Sequence, residues 1–316
     1  MSLRYTPALI RAPTGSRLDY SSTQLRRGLL LAITANCLWG ISALYWLETQ
    51  PATPIDVLAH RALWSLPVAT LVLLWVRRFR ETLTLIRRPS TLAWSALATL
   101  LLSSNWGVFL FAVTSGRATE ASLGYFMLPL LTVVVGSVFF AERLGPTQRI
   151  ALVMAVSAVL IQVLAYGSLP WVSLVVASSF ALYGAIRKKI VADTIQGLFL
   201  ETLCMAPFAL VWVILEQGAG LGRFGVQVDV FLLLSGVFTA APLLTYIAAT
   251  RLLPLSVVGL TSYVGPTLQL IVAQTVLGET IDTATVMSFA LVWVGVVLVS
   301  GQGLRRVIQR RLGVGR

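Results

Sequence analysis

Charge is what this sequence has least of. Only 11% of its 316 residues are Asp, Glu, Lys or Arg, against roughly a quarter in soluble domains. It holds one histidine, His60, and two cysteines, Cys37 and Cys204. With so few ligating side chains no metal-ligand spacing exists, and no cofactor is expected. Both cysteines fall in apolar stretches and read as small buried residues rather than a disulfide. No Ser-His-Asp or Cys-His spacing supports a membrane-embedded enzyme. A Gly-rich phosphate loop with its Lys is missing, which argues against ATP-driven transport by this chain alone. A channel would need a carbonyl-filter repeat or a ring of like charge, and neither is seen.

What is abundant is apolar length. Hydrophobic residues make up 57% of the chain, in blocks of the roughly 20 residues needed to cross a ~30 Å hydrocarbon core. Ten blocks are expected as helices, over 28–47, 56–76, 91–112, 119–140, 147–166, 168–187, 195–215, 230–250, 256–277 and 283–303. They are uniformly apolar rather than alternating with period two, which excludes a porin-type barrel. The first is too long for a signal h-region and nine more follow, so it is expected to be retained. The sequence therefore reads as an all-α polytopic membrane protein whose surroundings are the lipid bilayer.

The net charge of +12 invites a nucleic-acid reading. The basic residues, however, sit in short breaks between apolar blocks and form no groove with interleaved aromatics, so nucleic acid is not an expected partner. Five Arg lie in the N-terminal tail, five in the second break (RRFRETLTLIRRPS), and five in the C-terminal tail. The fourth, sixth and eighth breaks add Arg143 and Arg149, then Arg187, Lys188 and Lys189, then Arg251, so that 21 of the 24 Lys and Arg lie on one side. The positive-inside rule makes that side, with both termini, cytoplasmic.

Residues 121–143 (ASLGYFMLPLLTVVVGSVFFAER) align without a gap on 258–280 (VGLTSYVGPTLQLIVAQTVLGET). Pro129 falls on Pro266 and Glu142 on Glu279; Pro67 resembles Pro207, and Trp39-Gly40 resembles Tyr183-Gly184. Five spans per copy is odd, so the second copy must enter the membrane from the opposite side. The expected organisation is a cytoplasmic tail (1–25), two inverted five-helix repeats (26–166 and 167–303) and a basic tail (304–316). Inverted repeats are the build of many secondary transporters, with the substrate site near the bilayer midplane; a duplicated structural bundle is the alternative. Pro129 and Pro266 are expected as mid-helix kinks that free the carbonyls of Tyr125 and Ser262. Gly124, Gly136, Gly259 and Gly265 are expected to allow close helix approach.

Ionisable groups inside a membrane usually face a cavity or a partner. Arg61 and His60 lie within the second block, with Trp64 one turn from His60. Asn105 and Trp106 reach a similar depth from the third block, and Glu120 opens the fourth. An outer polar cluster is expected there, with a plain Arg61–Glu120 pair as the alternative. Glu201 aligns with Arg61 in the second copy, and Thr245, Tyr246, Ser262 and Tyr263 come from other helices at its depth. Two groups could carry protons, His60 and Glu201. Arg61 beside it opposes a second positive charge on His60, which leaves Glu201, alone on its helix, as the better candidate.

The motifs LWGI (38–41), HRALWS (60–65), NW (105–106), EASLGYFMLPL (120–130), ER (142–143), LYGAIRKK (182–189) and ET (201–202) together resemble the RarD family of EamA-type transporters in the drug/metabolite transporter superfamily. The resemblance implies a bacterial inner-membrane transporter working by alternating access. Superfamily substrates include amino acids, other metabolites, nucleotide sugars and drugs, and the motifs fix none of them. The expected function is transport, by export, of a small polar metabolite, amino-acid-like or drug-like. Arg61 would face an anionic group, and Trp39, Trp64, Trp106 and Tyr183 would form apolar walls. Tyr125, Glu201, Tyr246, Ser262 and Tyr263 complete the candidate contacts. A passive facilitator is the runner-up; the oligomeric state is not legible.

Overall fold

A computed structural model describes residues 22–140, 144–216, 220–253, 257–258 and 261–312. Among them the regular structure is helical, with no strand: α1 (Ser22–Gly40), α2 (Ser42–Leu47), α3 (Pro54–Trp75), α4 (Phe79–Ile86), α5 (Pro89–Thr114), α6 (Ala118–Phe140), α7 (Pro146–Tyr166), α8 (Trp171–Arg187), α9 (Thr194–Leu215), α10 (Val226–Thr250), α11 (Val264–Thr275) and α12 (Thr283–Leu312). Seven are long and apolar enough to cross a membrane, α1 and α2 being taken as one. The apolar helices Trp171–Arg187 and Thr283–Val299 are shorter. Most of the expected N-terminal tail, the Glu142–Arg143 pair and Gly259 lie outside the described residues.

The chain is built as a membrane protein must be. Its interior is lined by small residues such as Ala32, Ala35, Ala62, Ala98, Ala121, Ala158 and Ala177, whereas Leu71, Trp75, Val138, Phe208, Leu215 and Val226 are exposed. Lipid is as apolar as leucine, so large side chains gain little by turning inward, and close backbone approach holds the helices together. At Gly124 a Cβ would lie 2.7 Å from the Ser173 carbonyl, so α6 and α8 touch through glycine as expected. Gly236 is tighter: a Cβ there would lie 2.1 Å from the carbonyl oxygen of Trp64, so α10 lies directly on the backbone of α3.

α3 and α9 start alike. Thr53 and Asp56 form a capping box at the head of α3, with Pro54 in its first turn. Asp193 and Gln196, each 140 positions later, form one at the head of α9. Such caps satisfy the free amides of the first turn and contribute about 1 kcal/mol each. The two helices run antiparallel: Trp212 Nε1 donates to Asp56 Oδ1 at 2.9 Å, and Ala59 and Ala62 cluster with Met205 and Ala209.

Three details add to the expected blocks. The first block is broken at Gly40–Ile41, where α1 gives way to α2. In the ninth block a turn at Ser262–Tyr263 interrupts the helix at the carbonyl expected to be freed by Pro266, and α11 begins at Val264 with Pro266 in its first turn. In a first turn its missing N–H has no intrahelical partner to lose. Pro129, by contrast, lies inside α6. α12 runs on as helix through Leu312, into the expected basic tail (304–316).

Candidate functional site

Arg61 and Glu201 are each the eighth residue of a 22-residue helix. Because α3 and α9 are antiparallel, the two lie at levels on the order of 9 Å apart along the helix axes, at 1.5 Å per residue. Both are buried, at 8% and 2% exposure.

The Arg61 guanidinium sits in an aromatic enclosure. Its Cζ lies 3.7 Å from the centroid of the Trp106 ring and 4.8 Å from that of Trp46. Nε donates to Thr239 Oγ1 at 3.0 Å, and Tyr45 and Tyr125 lie within electrostatic reach. Tyr45 is stacked on Phe238, centroids 3.9 Å apart. Ring faces stabilise a desolvated cation by about 2 kcal/mol, which is less than the cost of burying it. Among the described residues Arg61 has no ion pair.

Glu120 is not its partner. Its carboxylate accepts from Arg117 Nε at 2.8 Å and from the Val172 amide at the head of α8 at 3.0 Å. Asn105 reaches the site indirectly: it accepts from Tyr125 Oη at 3.0 Å and donates to the Val176 carbonyl at 2.9 Å. The expected quartet of His60, Arg61, Asn105 and Glu120 is thus divided, with Glu120 outside. His60 is buried, and its Nδ1 accepts from Trp64 Nε1 at 3.2 Å.

Glu201 is not isolated either. Tyr183 donates to Oε2 at 3.1 Å, and Arg187 Nε lies 3.6 Å from Oε1, too far for a hydrogen bond. Glu201 Oε1, Arg187 Nη1 and Gln196 Nε2 are buried with no hydrogen-bond partner. Arg187 donates to the Asp193 carbonyl at 3.0 Å, and the Asp193 carboxylate pairs with Arg78. Arg78 in turn holds Glu81 at 2.7 Å. A run of charged side chains therefore leads from the buried carboxylate to the exposed head of α4.

The remaining expected contacts lie elsewhere. Trp39 meets Tyr246, centroids 5.6 Å apart; Tyr263 lies against Trp293 at 6.3 Å; Ser262 Oγ donates to Val258 at 3.2 Å. Residues missed in the sequence are Tyr45, Trp46 and Thr239 around Arg61, and Arg187 beside Glu201. A signal for Arg187 existed, since Tyr183 and Arg187 are four residues apart on one helical face.

Fold and site together define a multi-pass helical membrane protein with a buried, charge-bearing centre. The model of the EamA-like transporter family matches residues 26–164 and 169–301. An uncharacterized transporter of Vibrio cholerae is 36% identical over 284 residues, 89% of this chain and 94% of the relative. Protein RarD of Escherichia coli is 34% identical, covering 87% and 94%, and the chloramphenicol-sensitive protein RarD of Pseudomonas aeruginosa is 32% identical, covering 88% and 95%. A solved crystal structure, 18% identical, shares the fold with a TM-score of 0.57 over 86% of this chain and 96% of the other. The chain belongs to the EamA-like transporter family and, within it, to the RarD group of bacterial membrane proteins.

Proposed function

We propose that this chain is a secondary-type transporter that moves a small polar solute, amino-acid-like or drug-like, out across the bacterial inner membrane by alternating access. Ten crossings in two inverted halves (26–166 and 167–303), with both termini cytoplasmic, would carry the site. The observation that carries this reading is Arg61, a buried cation beside aromatic rings with no carboxylate partner among the described residues. The two-segment family match and the capping boxes 140 positions apart support the duplication.

The test is counterflow in proteoliposomes over a panel of amino acids, nucleosides and amphenicols, the last because one relative is named for chloramphenicol sensitivity. Labelling in a cysteine-free background tests the orientation. A cysteine at Gln50 should react from outside and one at Thr84 only after permeabilisation, both positions being exposed. Labelling of Thr84 from outside would overturn the orientation. A passive facilitator of the same solutes is the second reading, favoured by the Arg187–Glu201 pair, which already offsets the carboxylate's charge without a proton.

A further inference from the structure

We infer that the Arg61 site takes solutes bearing one carboxylate and a net charge of minus one at that end. This rests on reading the Arg61 enclosure as the solute site.

The carboxylates of the neighbouring helices face other groups, Asp229 of α10 the Gly222 amide. Asp56 accepts from Trp212, Glu120 from Arg117 and Val172, and Glu201 from Tyr183 beside Arg187. The two tyrosines beside Arg61 have also committed their protons. Tyr45 Oη donates to the Phe231 carbonyl at 2.5 Å, and Tyr125 Oη donates to Asn105 Oδ1. Nε is held by Thr239 Oγ1, which among the described residues leaves the two terminal guanidinium nitrogens, and the Thr239 hydroxyl proton, to offer. With Trp106 against its face, the fork points its N–H bonds along the edge, the geometry that meets a planar carboxylate with two parallel hydrogen bonds.

The charge balance then limits the ligand. Arg61 is the cation that the enclosing rings hold, while His60 turns its Nδ1 to the Trp64 indole N–H. One buried positive charge is offset by one negative charge. A neutral amide leaves the cation uncompensated, and a dicarboxylate or a doubly ionised phosphate leaves an excess anion in a low-dielectric site.

The test is thermal stabilisation and binding measured on the full chain in detergent at neutral pH. Acetate, propionate and benzoate serve as monocarboxylates, with benzamide, phthalate, phenyl phosphate and chloride as contrasts. At least one monocarboxylate should stabilise the wild type, its amide and doubly charged analogues should bind about tenfold more weakly or worse, and Arg61→Gln should remove the response. Arg61→Lys should bind about tenfold more weakly, because a point charge replaces the fork. If Arg61→Gln does not fold, Trp106→Phe and Thr239→Val must still weaken monocarboxylate binding severalfold. The inference is overturned by benzamide matching benzoate, by chloride competing as well as carboxylates, by binding that ignores these substitutions, or by no response to any monocarboxylate. Counterflow of a neutral solute without carboxylate binding would remove this inference and leave the transporter reading. Carboxylate binding without counterflow would do the reverse.

Discussion

Arg61 donates from Nε to Thr239 Oγ1 on α10, and the halves of the chain return the contact. Thr99, 140 positions before Thr239, donates to the backbone carbonyl of Glu201, 140 positions after Arg61, at 3.1 Å. Exchanging residues 140 positions apart maps one pair of residues onto the other. Thr239→Val should lower unfolding stability by about 1–3 kcal/mol, the range for losing a hydrogen bond to a buried charge, and Thr239→Ser should restore most of it. Thr99→Val should cost less, since its acceptor is uncharged. Equal losses in thermal unfolding would contradict this ranking.

Gly236→Ala should be among the most damaging small substitutions, because its methyl would overlap the backbone of Trp64. Backbone cannot step aside as a side chain can, so a loss of about 1–3 kcal/mol or more is expected. Gly184→Ala, where no heavy atom lies within 4 Å, should be neutral or slightly stabilising through helix propensity. Melting temperatures of the two variants against wild type check the contrast.

Glu201→Gln should destabilise by about 3 kcal/mol by leaving Arg187 as an uncompensated buried cation. Adding Arg187→Met should recover much of the loss, and a double-mutant cycle reads the coupling. If transport is proton-driven through Glu201, the Gln variant keeps solute exchange and loses gradient-driven accumulation. Accumulation that survives in that variant removes Glu201 from coupling.

Asp282 gives a pH signature away from the membrane core. The Tyr166 hydroxyl and the Thr285 amide, which donates at 2.8 Å, hold its carboxyl below the usual range. A depressed carboxyl stabilises the fold above the unfolded-chain value near 4 and loses that contribution as pH falls through its own lower value. Asp282→Asn should flatten this part of the acid limb in pH-dependent melting; an unchanged limb would show that the contact contributes nothing.

The apolar blocks made most helices legible because a lipid crossing demands length and uniform hydrophobicity. The break at Gly40 and the start of α11 at Val264 were not, since a turn inside an apolar run leaves no change of polarity to read. Arg61 and Glu201 stood out as rare charges within spans, but their partners did not. Trp46 and Thr239 are ordinary residues in membrane helices, and only the folded arrangement shows that they meet Arg61. Charge placement puts Arg187 among the cations of the sixth break, whereas its guanidinium folds back onto Gly197, where a Cβ would lie 2.3 Å from it.

Glu279 accepts from the amides of Ala118 and Thr119 at 2.6 and 2.7 Å, joining the later half of the chain to the first turn of α6. Arg78 and Asp193 join the same two halves elsewhere, at the heads of α4 and α9. A protein that rocks about its middle would have to unfasten these clasps in turn, one for each direction of tilt. Their relative strengths would then set which way it rests when empty. Residues that never touch cargo would thereby decide the side on which the empty carrier waits.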